Sequence, residues 1–313
     1  HWSIFGCGWA KPAVPPWQAC LSAPPAQRIM AWQPLPRQAL AGAKMTSKRQ
    51  SRFGDIAAAF MLLSRFPVTY QFAKDSPPDF ISSLWAFPLV GLVIGGIGGM
   101  MLVVSGFFGL PLLVCGGLCV GVMAMASGAM HEDGLADTAD GFGGGRDVDD
   151  KMRIMHDSHI GSYGVLALCL STIIRISIFA SIATLDLSNL ALIGLVAAIA
   201  AAARWQILIA LWAFPIAAGA KLAKVTGRPS VIAIFAAAFL WVMPMAYFAM
   251  PLAAVIAGGA ALLACLGLGR LAMRQIHGIS GDVMGAMIIL GEIMLAAGLF
   301  ITLNTPHDIG FFG

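Results

Sequence analysis

Asp133, Asp137 and Asp140 stand four and three residues apart. At about 100° per residue they fall within roughly 60° of one another on a helix face. Like charges at that spacing repel and weaken a bare helix. The spacing therefore predicts a cation among them, and a hard divalent ion with oxygen ligands is the simplest candidate. The three belong to residues 131–164, HEDGLADTADGFGGGRDVDDKMRIMHDSHIGSYG, which hold eight of the fifteen acidic residues of the chain. Glu132 points about 100° off the aspartate face and ranks below the trio. His131 is a candidate catalytic base and His156 a weaker one. The apolar run ending near Met130 is expected to continue as one helix past His131 to Asp140, where Gly141, Gly143, Gly144 and Gly145 break it. Backbone amides in such a glycine turn can approach a phosphate closely. A second short helix is expected next, with Asp147 as N-cap and Asp150 in the capping-box position. Val148, Met152 and Met155 form its apolar stripe, and Asp149, Lys151 and Arg153 a solvated face. Asp157 and Ser158 then fall where the chain returns to an apolar run, bringing a fourth carboxylate towards the first three. Two uses of such a cluster compete: a Mg2+ site for a nucleotide diphosphate, and a cation-transport or sensing site. An acidic surface loop without a ligand is the bland alternative.

The elements that must position these groups are membrane helices. Hydrophobic residues make up 59% of the chain and charged residues 11%, against about 25% charged in soluble domains. The mean hydropathy is +0.84. Residues 53–67 are too short a run to span a bilayer and read as interfacial or re-entrant. Seven longer apolar runs follow, near 82–108, 110–130, 161–185, 189–213, 230–250, 252–269 and 282–303, each close to the ~20 residues a span needs. The expected fold is an all-α, polytopic membrane bundle of about seven transmembrane helices with a cytoplasmic acidic active-site loop. Alternating the spans collects the basic residues on one side, including Lys221, Lys224, Arg228, Arg270 and Arg274, and leaves the other without Lys or Arg. The positive-inside rule makes the first side cytoplasmic.

Gly91, Gly95 and Gly99, and again Gly117 and Gly121, recur at four-residue intervals and predict close helix packing. Gly95, Gly96, Gly98 and Gly99 lie in a span with no preceding strand, so they are not a nucleotide fingerprint, and no Walker sequence occurs. Arg175, Arg204 and Glu292 fall inside spans. Each should face the bundle interior with a partner, and Glu292 with Arg204 or Arg175 is the economical pairing. Contact with an anionic substrate group is the other reading. The six cysteines complete no metal site and read as small hydrophobes. Residues 1–44 carry four Trp, seven Pro and no acid, without a signal-peptide pattern. They read as an upstream extension, non-functional or disordered, with an interfacial Trp anchor as the functional alternative, before a single catalytic membrane domain over 45–313, with Met45 a natural start.

HEDGLADTADGFGGGRD followed by IMHDSHIGSYGVLAL resembles the signature of the cobalamin synthase family, the adenosylcobinamide-GDP ribazoletransferases. SRFPV with LWAFPLVGLVIG, and GISGDVMGAMIILGEI, resemble that family's N-terminal and C-terminal motifs. The resemblance covers about residues 53–303. It implies a multi-pass enzyme of the bacterial inner membrane that transfers the phosphorylated arm of adenosylcobinamide-GDP to α-ribazole or its 5′-phosphate and releases GMP, with Mg2+ as cofactor. On this sequence it implies Asp133, Asp137, Asp140 and Asp157 as metal ligands. It also implies Gly141, Gly144, Asp157, Ser158, Lys221, Arg228 and Asp282 as substrate-binding residues; Asp282 is alternatively a helix N-cap. Membrane lipid is an expected partner, nucleic acid is not, and a homo-oligomer is left open. One rival is a CDP-alcohol phosphotransferase, whose DG-x-x-AR pattern is not met by Asp133-Gly134-Leu135-Ala136-Asp137. The other is a transporter using Arg175, Arg204 and Glu292, which would place its key acids in paired broken helices at mid-membrane.

Overall fold

The computed structural model of the chain describes residues 51–68, 80–220 and 228–304. The proposed extension, Lys221 and Lys224 lie outside the described residues. Helix α1 (Arg52–Leu63) is capped by Ser51, whose side chain accepts from the Gly54 N–H. At twelve residues it is too short to cross a bilayer. Its buried Asp55 accepts from the Ser82 hydroxyl at 2.8 Å and the Trp85 indole N–H at 3.0 Å. Those bonds tie α1 to α2 (Phe80–Ser83) and to the 3-10 turn Leu84–Ala86.

Helix α3 (Phe87–Phe107) continues that turn, and Phe80–Phe107 together are long and apolar enough to span. α4 (Leu112–Ser127) returns towards the starting side and α5 (Met130–Gly144) follows it. α6 (Val148–Met155) is short and amphipathic; Asp147 caps it through the Asp150 N–H. Then come α7 (Ser162–Ile182), α8 (Asn189–Ala213), α9 (Val231–Phe248), α10 (Pro251–Ile276) and α11 (Gly281–Asn304). Six of these segments have spanning length and composition, and α4 with α5 makes a seventh that is bent by 90°. Among the described residues there is no strand, only one isolated bridge between Ile216 and Ile279.

The bent span corrects one expectation. The helix does not run from the second apolar run through Met130 into the aspartates. It stops at Gly128 and restarts, because Gly128 and Ala129 are both left-handed, with φ of 69° and 54°. The Ala129 N–H closes back on the Ala124 carbonyl at 2.7 Å, a Schellman-type end. The left-handed state costs Ala129 roughly 1–2 kcal/mol. The Arg65 side chain packs against Gly128, and its backbone N–H donates to the Ala126 carbonyl at 2.8 Å, fastening the end of α4 to the chain after α1.

Packing follows the small residues. A Cβ on Gly91, Gly95 or Gly99 would strike the backbone of α8 at Ala200, Val196 or Ile193. α8 is correspondingly rich in alanine. In α4 the close approach is made by Gly116 against the Ile176 carbonyl, whereas Gly117 barely reaches α7 and Gly121 faces open space. The pair read from the four-residue interval is therefore one position off.

Candidate active site

Helix α5 lies antiparallel to the first turns of α11. A Cβ on Gly134 would meet the Asp282 backbone, and Gly285 abuts the backbone of His131. α11 itself is placed by the GISGD stretch. Ala217 donates to the Ile279 carbonyl and Ile279 donates to the Pro215 carbonyl, both at 2.9 Å. Ser280 caps the helix through the Val283 N–H at 3.2 Å. The cap therefore falls to Ser280, and Asp282, in the first turn, is left for another task.

Between these elements lies a cavity of about 640 Å³. Asp133 and Asp137 reach it from α5, Asp282 from α11, and Asp157 with Ser158 from the segment after α6. His131, His156 and His159 also line it, and no Lys or Arg does among the described residues. Leu63, Phe87, Ile207, Leu211, Met284 and Ile288 form an apolar wall. His131 is buried, and its Nε2 has no hydrogen-bond partner. Asp157 accepts from the His159 backbone N–H at 3.1 Å and meets the His159 ring nitrogen at 2.7 Å. The ring contact foremost, then the backbone N–H, holds the Asp157 carboxyl below the usual range, so it is an anion at neutral pH.

Other expected site residues lie elsewhere. The helix is not broken by its glycines but runs through Gly144. Gly141 is buried against Met155, and Gly144 opens on a shallow surface beside Arg146 and Asp147. Neither lines the cavity, and both are helical rather than part of an open anion-binding turn. Arg228 is exposed ahead of α9 and does not line the cavity either. Asp140 is buried away from the cavity, with both oxygens engaged by backbone N–H groups of Gly161 and Gly164. Asp150 does not complete the capping box: it accepts from the Arg146 N–H rather than that of Asp147, and pairs with Arg153 at 2.6 Å.

A second group of charges is buried within the bundle. Arg175 donates to Glu132 at 2.8 Å and lies 3.3 Å from Glu292, and Arg204 donates to Glu292 at 3.3 Å. The two arginines and Glu292 are at most 2% exposed. Glu292 thus pairs with both arginines, and the fourth member, Glu132, was not visible as a partner in the sequence. The signal that could have found it is charge arithmetic: two arginines and one glutamate inside spans lack one negative charge. Cys115, Cys119 and Cys265 are buried among apolar groups, as expected, whereas Cys169 is exposed on α7, and Cys7 and Cys20 lie outside the described residues. Among the described residues no three His, Cys, Asp or Glu converge on a single metal position.

Fold and cavity together describe a polytopic helical membrane protein with an acidic cavity between α5, α11 and the segment after α6. The sequence matches the family described as Cobalamin-5-phosphate synthase over residues 55–300, and the chain belongs to that family, transferases of cobalamin biosynthesis. It is similar to the adenosylcobinamide-GDP ribazoletransferase of Azorhizobium caulinodans, 37% identical over 266 residues, 83% of this chain and all of the relative. The Bradyrhizobium diazoefficiens enzyme of the same name is 40% identical over 214 residues, 67% of this chain and 80% of the relative. That of Brucella anthropi is 32% identical over 266 residues, 82% of this chain and all of the relative. No solved structure matches the chain. The CDP-alcohol and transporter readings are not favoured by these matches.

Proposed function

We propose that the protein transfers the phosphorylated corrinoid arm of adenosylcobinamide-GDP to α-ribazole, or to its 5′-phosphate, and releases GMP. The acceptor hydroxyl oxygen forms the new bond to phosphorus, the phosphoanhydride bond to GMP breaks, and the hydroxyl proton is released. One observation carries this beyond family membership. Four carboxylates from three separate segments line one cavity that has no Lys or Arg on its described walls. Carboxylate oxygens brought together from separate segments are the donors a hard divalent cation takes, and such a cation is what holds a diphosphate in place.

The donor set fits Mg2+, which takes hard oxygen ligands and is usually held by one or two carboxylates, with water and substrate phosphates completing its shell. Asp133 and Asp137 would hold the ion, with Asp157 and Asp282 facing them across the cavity. When bound, Mg2+ would neutralise charge on the transferred phosphoryl and the departing GMP. The apolar wall excludes water beside the reacting groups.

The orientation follows from charge. Arg52, Arg65, Arg146, Lys151, Arg153 and Arg274 fall in segments that alternating the spans puts on the cavity side, while the turns at residues 108–111, 183–188 and 249–250 hold no Lys or Arg. The positive-inside rule supports a cytoplasmic cavity in a bacterial inner membrane. A reporter fused after Asp186 is expected on the periplasmic side.

The direct test is mass-detected GMP release from purified protein given adenosylcobinamide-GDP and α-ribazole. Release is expected with Mg2+ and is expected to stop with EDTA. Turnover that persists in EDTA would remove the metal from the reading, and no release under any condition would remove the reaction.

A further inference from the structure

Asp140 shares a helix face with Asp133 and Asp137 but not their surroundings. It is 7% exposed and does not line the cavity. Its Oδ2 accepts from the Gly161 N–H at 2.7 Å and its Oδ1 from the Gly164 N–H at 2.8 Å. Those donors belong to the N-cap and first turn of α7, where backbone N–H groups have no partner within the helix. The carboxylate charge also suits the positive end of that helix.

The sequence reserves room for this joint. A Cβ on Gly161 or Gly164 would run into the Asp140 carboxylate, and one on Gly164 would also press on the Ala136 carbonyl. The joint links residues 21 apart in sequence. Between them lie α6 and the short segment that brings Asp157 and Ser158 to the cavity. That segment is otherwise mostly exposed, held through Met155 against Gly141. Fixing both ends of a loop is what limits where its middle can go.

We propose that Asp140 is a positioning residue: it clasps the start of α7 through two backbone N–H groups, and so sets Asp157 and Ser158 opposite Asp133 and Asp137, instead of binding the ion itself. The proposal rests on the cavity being the phosphoryl-transfer site only for its consequence in turnover; the clasp is testable without it.

The experiment uses the full chain in detergent or nanodiscs and three readouts. Hydrogen exchange, with neither substrate nor metal, is followed over residues 156–165 in Asp140→Asn, Gly164→Ala and Asp133→Asn. Exchange is expected to quicken in the first two and to stay at the parent rate in Asp133→Asn. Mn2+ binding is followed by electron paramagnetic resonance; Asp140→Asn and Gly164→Ala are expected to weaken it equally or not at all. GMP release is expected to fall about 10–100-fold in each, the range seen when a supporting contact is removed, with the double variant no worse than the poorer single. Mn2+ affinity lost in Asp140→Asn but kept in Gly164→Ala, with parent-like exchange, would make Asp140 a ligand and overturn the proposal. Should Asp140→Asn fail to insert, Gly161→Ala breaks the same joint from the other side and carries the same expectations. Quickened exchange without turnover in the parent would leave the clasp standing and sink the reaction.

Discussion

Glu132 and Asp133 are neighbours on α5, yet they belong to two charge systems built on opposite principles. Glu132 turns into the bundle, where Arg175, Glu292 and Arg204 complete a set of two positive and two negative groups. Asp133 turns about 100° away, into a cavity it shares with Asp137, Asp157 and Asp282 and with no Lys or Arg on its described walls. The inner set is neutral and sealed, so it serves packing: it joins α5, α7, α8 and α11 at one depth. The outer set lines an open cavity, and carboxylates gathered there from three segments suit a hard divalent cation.

That comparison can be broken in order of expected effect. Replacing Arg204 or Arg175 by Leu leaves Glu292 underpaired in a buried site, which should cost about 3–5 kcal/mol of stability. A thermal melt in detergent reads it, and an unchanged midpoint would show the inner set to be solvated. Asp137→Asn should instead lower GMP release by about 10²–10³-fold, the scale of lost transition-state charge stabilisation, while the melt stays near the parent. A parent-like rate would show that the outer set is idle. Gly95→Leu forces α3 off α8 at Val196 and should cost about 1–3 kcal/mol by overpacking, a loss visible in the same melt but not in metal dependence.

The smallest effect is expected at the exposed pair of Asp150 and Arg153. The Arg153 hydrogen bond, followed by the Arg146 N–H, holds the Asp150 carboxyl below its usual range. A depressed carboxylate adds stability above its ordinary pKa and loses it as pH falls through the folded value. Arg153→Ala should therefore lower the melting midpoint slightly at neutral pH and not at all in strong acid. A large neutral-pH loss would mean that an exposed pair can rival the buried set, against the usual worth of such pairs.

The membrane-bundle class was legible from composition and from run lengths alone, since a span needs only enough apolar residues in series. The acidic stretch was legible too, because eight acids in so apolar a chain stand out. The motif residues placed Asp133, Asp137, Asp157 and Asp282 among the candidates before any coordinates. Periodicity could not tell that Asp140 faces backbone N–H groups, because a shared helix face says nothing of what lies opposite it. Nor could it foresee the bend, since Gly128-Ala129 reads as an ordinary helical dipeptide until Ala129 is seen at positive φ.

By itself, then, the sequence determined which segments enter the membrane and which residue types are available for chemistry, as these depend on transfer free energy and on side-chain identity. Only the tertiary structure decided which carboxylates share one cavity, which one is taken up by the start of α7, and which glutamate neutralises Arg175. Those outcomes depend on distances between segments far apart in the chain, and a one-dimensional pattern does not carry them.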